Sequence, residues 1–227
     1  MTSLVSAEEM NRPYFDIAEL PRELPVFPLA GCLLLPRSEL PLNIFEPRYL
    51  AMVDAALAGA RLIAIVQPLP ESAAETSPML YPVGCAGKIV RFAETGDGRY
   101  FISLEGVCRF RSRTETTRDT PYRTFDVSYA DFPRDLASPT QAEQADRNAV
   151  LRALGAYAER NSIAVDWDAV AKASDESLIN SLSMMSPFGI REKQALLEAG
   201  SLHARAEVLI AIAEMDLAGG QRRPPLH

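Results

Sequence analysis

Short apolar runs broken by prolines open the ordered part of the chain. Leu24-Pro25-Val26-Phe27-Pro28-Leu29, Leu33-Leu34-Leu35-Pro36 and Leu40-Pro41-Leu42 follow one another within twenty residues. Proline fixes φ and offers no amide donor, so it is excluded from helix interiors and central strands. The pieces between prolines therefore read as short strands with kinked ends, as in a small barrel. The pattern changes at Glu46-Pro47. Proline suits a first helical position, and an acid there meets the positive end of the helix dipole. Tyr49, Leu50, Val53, Ala56 and Leu57 then recur at helical spacing, with Gly59 as the expected stop. Leu62 to Val66 is a compact apolar run, expected to be a buried strand.

Residues 67–80 hold Pro68, Pro70 and Pro78 among small polar residues, and predict a mobile surface loop of functional interest. A β-meander follows. Lys88 to Phe92 alternates, with Val90 and Phe92 on one face and Ile89 and Arg91 on the other. Thr95-Gly96-Asp97-Gly98 is a hairpin signal, because Asp-Gly tolerates positive φ. Ile102 and Leu104 align on the returning strand, Gly106 marks a bulge or bend, and Arg109, Arg111 and Arg113 share one face. Phe125, Val127 and Tyr129 point inward from the last strand. Pattern and composition change near Asp131 to Pro139. Beyond it, an amphipathic helix starts at Ser138-Pro139 and runs through Ala142, Ala145, Ala149, Leu151, Leu154 and Tyr157. A helix capped by Ser174 ends at Ser186-Pro187, another runs from Ile190 to Glu198, and a last one carries Leu202, Ala206, Leu209, Ile210 and Ala213. Boundaries are expected at 1–22 for an extension, 23–133 for the β domain, 134–218 for the helical domain and 219–227 for a disordered tail.

Several of these segments together resemble the Lon amino-terminal, or substrate-binding, domain family. The resemblance is carried by Leu24 to Leu29, Ile44-Phe45-Glu46-Pro47-Arg48-Tyr49, Val83-Gly84-Cys85-x-Gly87 and Asp97-Gly98-Arg99-Tyr100. Further along, Gly106-x-x-Arg109-Phe110, Pro121-Tyr122, Met185-x-Pro187 and Glu192-Lys193-Gln194-x-Leu196-Leu197-Glu198 extend it to about Ala213. It implies an α+β fold: an N-terminal PUA-like antiparallel pseudo-β-barrel with one helix, then a C-terminal α-helical bundle. It also implies a stand-alone, bacterial-type copy of a module that helps to recognise unfolded or tagged polypeptides in protein quality control, as an adaptor or chaperone-like binder. Its partners would be such polypeptides, together with a protease or chaperone.

Composition narrows the chemistry. The chain has 227 residues and a net charge of −7, which disfavours nucleic acid as the main partner, since phosphate binding needs clustered cations. Residues 88–123 are locally basic, with eight basic and five acidic residues. That strand face supplies the alternative reading, a PUA-like RNA binder using Arg91, Arg111, Arg113 and Arg123. A small-molecule pocket, as in the related cereblon family, ranks below both, because that family's ligand site lies in a zinc-binding domain whose cysteine spacing is missing here. No signal peptide or membrane-length apolar run is visible, and Cys32, Cys85 and Cys108 are too scattered for a metal or disulfide framework. The expected location is cytoplasmic, with reduced thiols.

No catalytic residue, metal ligand or cofactor site is assigned. The two histidines are His203 and the terminal His227, so no triad is supported. Gly84-x-x-Gly87-Lys88 is too short for a phosphate loop, and Ile89 stands where a magnesium-binding hydroxyl belongs. The ATPase and Ser-Lys peptidase that full Lon proteases carry are not matched by any segment. Candidate polypeptide contacts are Phe27, Phe92, Met184, Met185 and Phe188, since methionine and aromatic groups suit promiscuous apolar recognition. A recess is expected where the helices meet the barrel. Glu46 is expected to pair with Arg48 or Arg109 and so to tie the helix start to the Arg109 strand, because a lone charge beside apolar residues is costly.

Overall fold

The computed structural model describes residues 13–137 and 146–218. The helix start at Ser138-Pro139, its residues Ala142 and Ala145, the first part of the extension and the tail 219–227 lie outside the described residues. The chain divides into two compact units, Met1–Pro139 and Thr140–His227.

The first unit is built on six strands: β1 (Glu23–Pro28), β2 (Glu39–Ile44), β3 (Leu62–Val66), β4 (Val83–Glu94), β5 (Tyr100–Thr116) and β6 (Arg123–Ser128), with helix α1 (Pro47–Leu57) between β2 and β3. The sheet order is β2-β5-β4-β3-β1-β6, and β5 also pairs with β6. Five strands therefore close into a ring, which removes their edges. β2 stands outside it on the first half of β5, pairing Leu40 with Leu104 and Ile44 with Tyr100. β6 takes the second half, pairing Arg111 with Ser128 and Thr116 with Thr124.

One pairing departs from the antiparallel expectation. β1 and β3 run parallel, with Val26 opposite Ala64 and Pro28 opposite Val66. The chain between them carries β2 and α1, and this long crossover returns it to the same end of the sheet. The sheet is therefore mixed.

The run Leu33-Leu34-Leu35 is also not a strand, although all three side chains are at most 1% exposed. It lies in a trough that two glycines leave open. A Cβ on Gly106 would stand 2.0 Å from the Leu35 carbonyl oxygen, and one on Gly87 would stand 2.6 Å from Leu34 Cδ2. Gly106 N–H donates to Ser38 O at 2.9 Å and Arg37 N–H to Gly106 O at 2.7 Å, so the backbone polar groups stay paired. At the same place β5 carries one residue more than β4, since Ala86 faces Cys108 while Gly87 faces Gly106. That is the bulge expected at Gly106.

Phe110, Leu24, Val26, Ala86, Cys108, Phe125, Val127 and Tyr129 fill the ring. The hairpin at 95–99 forms with positive φ at Gly96 and Gly98. On β4 a register shift between Ile89 and Arg91 ends the alternation: Ile89 is buried, and residues 90–94 are exposed. At the end of α1 the left-handed residue is Arg61 rather than Gly59.

A 3-10 turn at Pro133–Leu136 closes the unit. Its Asp135 accepts from Arg109 N–H at 2.9 Å and from Arg109 Nε and Nη2 at 2.8 Å each. Residues 134–137 thus belong with the strands, not with the helical domain. Burial works to lower the Arg109 pKa, but the two-pronged bond to the Asp135 carboxylate and its charge outweigh that effect and raise the pKa overall. Of the two partners expected for Glu46, Arg48 is the one it takes, with Nη2 2.8 Å from Oε2, while Arg109 goes to Asp135, so this pair does not tie the helix start to the Arg109 strand. Asp135, with its own backbone turn, was available to Arg109 at closer range.

The second unit holds α2 (Arg147–Arg160), α3 (Trp167–Lys172), α4 (Asp175–Met185), α5 (Ile190–Glu198) and α6 (Leu202–Ala218). Ser174 caps α4 by accepting from Ser177 N–H at 3.2 Å, and α6 packs against α2, α4 and α5. The short α3, capped by Asp166, was not expected from the pattern, since six residues show too little of a 3.6-residue period.

Candidate functional site

Two of the proline-punctuated motifs converge on one open cleft of about 310 Å³ in the first unit. The end of β1 supplies Val26, Phe27 and Pro28, and the β2–α1 junction supplies Phe45, Glu46, Arg48 and Tyr49. The remaining walls come from Thr76 and Pro78 in the 67–80 segment and from Tyr122 and Arg123 at the start of β6.

The sequence dictates this meeting. Pro28 ends β1, so the chain turns away just after Phe27. Pro47 starts α1 one residue after Glu46, which leaves Phe45 at the strand-to-helix corner, 61% exposed. Tyr49, on the first turn of α1, packs on Phe27 with ring centroids 4.2 Å apart. The Arg48 guanidinium lies 4.6 Å above the Tyr49 ring, a cation–π contact.

The cleft's cations are matched by acids. Arg48 Nη2 stands 2.8 Å from Glu46 Oε2, and Arg123 makes a two-pronged bond to Glu115 at 2.8 and 2.7 Å. The hydrogen bonds from Arg123 hold the Glu115 carboxyl below the usual glutamate range. The rest of the lining combines aromatic rings and prolines with the polar side chains of Asn43, Glu75 and Thr76. A second recess of about 280 Å³ lies between Glu23, Leu24 and Pro25 of β1, Ala55 and Ala56 of α1, and the 118–124 turn. Tyr122 lines both recesses.

The 67–80 segment is not the loose loop that its composition predicts. Pro68 pairs with Leu80 in an isolated bridge, and buried Ser72 accepts from Met79 N–H at 2.9 Å. Its small polar residues close the loop on itself.

The expected contact residues separate. Phe27 lines the cleft, buried against Tyr49. Phe92 lies on the β4–β5 hairpin, 38% exposed, with its ring 5.0 Å from Tyr100 and outside the cleft lining. In the second unit Met185 is 83% exposed, while the Met184 carbonyl accepts from Lys193 Nζ at 2.7 Å. Phe188 is buried in that unit's core, 5.4 Å from Tyr157, so it offers no surface. Aromatic character alone does not separate a core ring from a contact ring, and the Pro187 turn drives Phe188 inward. Of the arginines proposed for RNA, Arg91 pairs with Glu39 at 3.4 Å, Arg111 with Asp131 at 2.7 Å and Arg123 with Glu115. Arg113 is exposed on β5. Acids interleaved on neighbouring elements thus neutralise most of the face that reads as basic in the linear sequence.

Phe45 and Tyr122 were not singled out as contacts, although both stand inside quoted motifs. The alternation gives the signal for Phe45: it follows buried Ile44 and must leave the core. No comparable local signal marks residues 73–78, whose role comes from tertiary placement. His203 sits on α6, 3.4 Å from Glu207 and exposed. Among the described residues, no group of three or more His, Cys, Asp and Glu side chains is placed to hold a metal ion. Gly84 to Lys88 lies within β4 rather than in a loop, so it presents no phosphate cradle.

The model of the ATP-dependent protease La (LON) substrate-binding domain matches residues 23–214. The chain belongs to the LON substrate-binding domain family. It is similar to the Lon protease of Flavobacterium johnsoniae, 26% identical over 202 residues that cover 88% of this chain and 24% of that protein. Lon protease 2 of Sorangium cellulosum is 25% identical over 201 residues, covering 86% and 25% respectively. The chain thus spans about a quarter of the length of these relatives. Two solved structures share the fold of this LON-family chain. A Lon N-terminal domain protein from Xanthomonas campestris aligns with a TM-score of 0.58 at 24% identity, covering 83% of this chain and 97% of that one. The N-terminal domain of the Mycobacterium avium complex Lon protease gives 0.59 at 20%, covering 85% and 98%. No helix among the described residues is long and apolar enough to cross a membrane.

Proposed function

We propose that this LON-family domain binds extended, unfolded or tagged polypeptide in the cleft between Phe27, Phe45, Tyr49 and Tyr122, and that binding rather than catalysis is its task. The convergence of the two family motifs on one open aromatic cleft carries this reading. Apolar rings gain from covering the side chains that an unfolded segment exposes, and they do so without a fixed sequence.

The pair of recesses supports an extended ligand. They are served by successive three-residue stretches of β1, Glu23 to Pro25 and Val26 to Pro28, which sets them about 10 Å apart at roughly 3.3 Å per strand residue. A polyproline-II segment repeats every three residues at about 3.1 Å each, so its side chains at positions i and i+3 match that spacing. Edge pairing on β2 is less favoured, because Pro41 interrupts the donors of that strand. We place the domain in the cytoplasm as an adaptor that hands polypeptide to a protease or chaperone.

The test is a titration of a reduced, carboxymethylated polypeptide that cannot refold, read by fluorescence anisotropy. Phe45→Ser removes an exposed ring that has no core role, so affinity is expected to fall about tenfold with the melting temperature unchanged. Equal affinity in Phe45→Ser, or no binding by the parent chain, would refute the reading.

A further inference from the structure

We propose that residues 67–80 form a hinged gate over the cleft and that Arg123 is its latch. The inference rests on the polypeptide-binding reading above and adds how that site opens.

The segment is closed on itself. At its base, Leu69 N–H donates to Met79 O at 2.8 Å and Tyr81 N–H to Gln67 O at 2.9 Å. Within it, Ser72 Oγ accepts from Met79 N–H at 2.9 Å and lies 3.3 Å from the Met79 carbonyl oxygen. Pro68, Pro70 and Pro78 remove backbone freedom from the same stretch. A loop whose ends meet and whose interior is packed by its own side chains moves as one body.

Its attachment across the cleft is of another kind. Arg123 Nη1 donates to the Pro78 carbonyl at 2.6 Å. Arg48 Nη1 reaches the Thr76 carbonyl only at 3.5 Å, the far limit of a hydrogen bond. Glu115 holds Arg123 from the other side. Leu80 anchors the base of the segment on the ring core. These two hydrogen bonds hold its far side across the cleft, and that side opens before the ring around it does.

Both ties end on backbone carbonyls, the group that every polypeptide supplies. An extended chain entering the cleft offers its own carbonyls to the same guanidinium groups. Opening then exchanges one charge-assisted N–H···O bond for another instead of forfeiting it. Recognition at this point is blind to side-chain identity, which leaves discrimination to the aromatic walls.

The experiment measures the distance between spin labels on the full chain carrying Cys32→Ser, Ser77→Cys and Asp119→Cys; positions 77 and 119 are exposed. The parent is expected to give one short distance. Adding the reduced, carboxymethylated polypeptide is expected to add a longer one, and Arg123→Ala to populate that longer distance without ligand. Releasing the latch raises the binding-competent fraction, so association is expected to quicken about threefold. A distance distribution in Arg123→Ala identical to that of the parent overturns the gate. Should circular dichroism show that Arg123→Ala is unfolded, Glu115→Gln, which keeps the arginine, is read in the same way, and an unchanged distribution is equally fatal. If the probe fails to bind while the variants lengthen the distance, the polypeptide reading falls and the gate stands. If the probe binds and no distance changes, the gate falls and the reading stands.

Discussion

Asp135 is the buried acid that anchors the 133–136 turn to β5. It satisfies a buried guanidinium and a strand amide at once, and both partners of the pair are at most 7% exposed. Removing one partner of a buried pair leaves the other charge uncompensated, at a cost of about 3–5 kcal/mol. Asp135→Ala is therefore expected to lower the urea midpoint sharply; a change below about 1 kcal/mol, the scale of an exposed pair, would contradict the assignment. Cys108 offers a second residue-scale check. Burial, with Asp135 adding to it, pushes its thiol up to about 12. At pH 8 the folded chain should thus show no reaction of Cys108 with a disulfide reagent, and half-buried Cys32 should react first. The sequence marked Arg48 and Arg109 as charges that needed a partner and offered Glu46 to either; Arg48 takes it, and Arg109 takes Asp135 instead. A buried ion pair is legible as a demand, while its acceptor is fixed only once the 133–136 turn folds back.

At the scale of elements, glycine and proline punctuation was the most readable part of the chain. Pro47, Ser174, Pro187 and the 95–98 turn act where the sequence puts them. The parallel β1–β3 pairing was not readable, because strand direction depends on a crossover that local pattern does not encode. The strand assigned to Leu33–Leu35 failed for a related reason. An apolar run states that it must be buried, and here the missing side chains of Gly106 and Gly87 bury it without a ladder. Gly106→Ala would push a Cβ into the Leu35 carbonyl and is expected to cost about 3 kcal/mol or more, seen as a loss of cooperative melting. The 67–80 segment has its own pH signature. A carboxyl held below its ordinary value contributes stability above its unfolded pKa of about 4.3 and loses it as the pH falls through the folded value. The Glu115–Arg123 grip is thus complete at neutral pH, and the spin-label distance is expected to broaden below about pH 4, before far-UV circular dichroism changes.

At the scale of the whole molecule, the ordered set of motifs read the family and the division into a strand-rich and a helical unit. It did not read the cleft's full membership, which draws on four segments far apart in the chain. A ring that closes through β5–β6 pairing is a complete hydrogen-bonded unit. A fragment of residues 1–139 is therefore expected to fold and to keep the affinity of the full chain for unfolded polypeptide; loss of binding by a folded fragment would move the site toward the second unit. The most direct measurement places a photoreactive benzophenone side chain at position 45 in one sample and at position 185 in another, each mixed with the same reduced, carboxymethylated polypeptide. Cross-linking from position 45, competed by unlabelled polypeptide and weak from position 185, is the expected result. Cross-linking from position 185 with none from position 45 would contradict it.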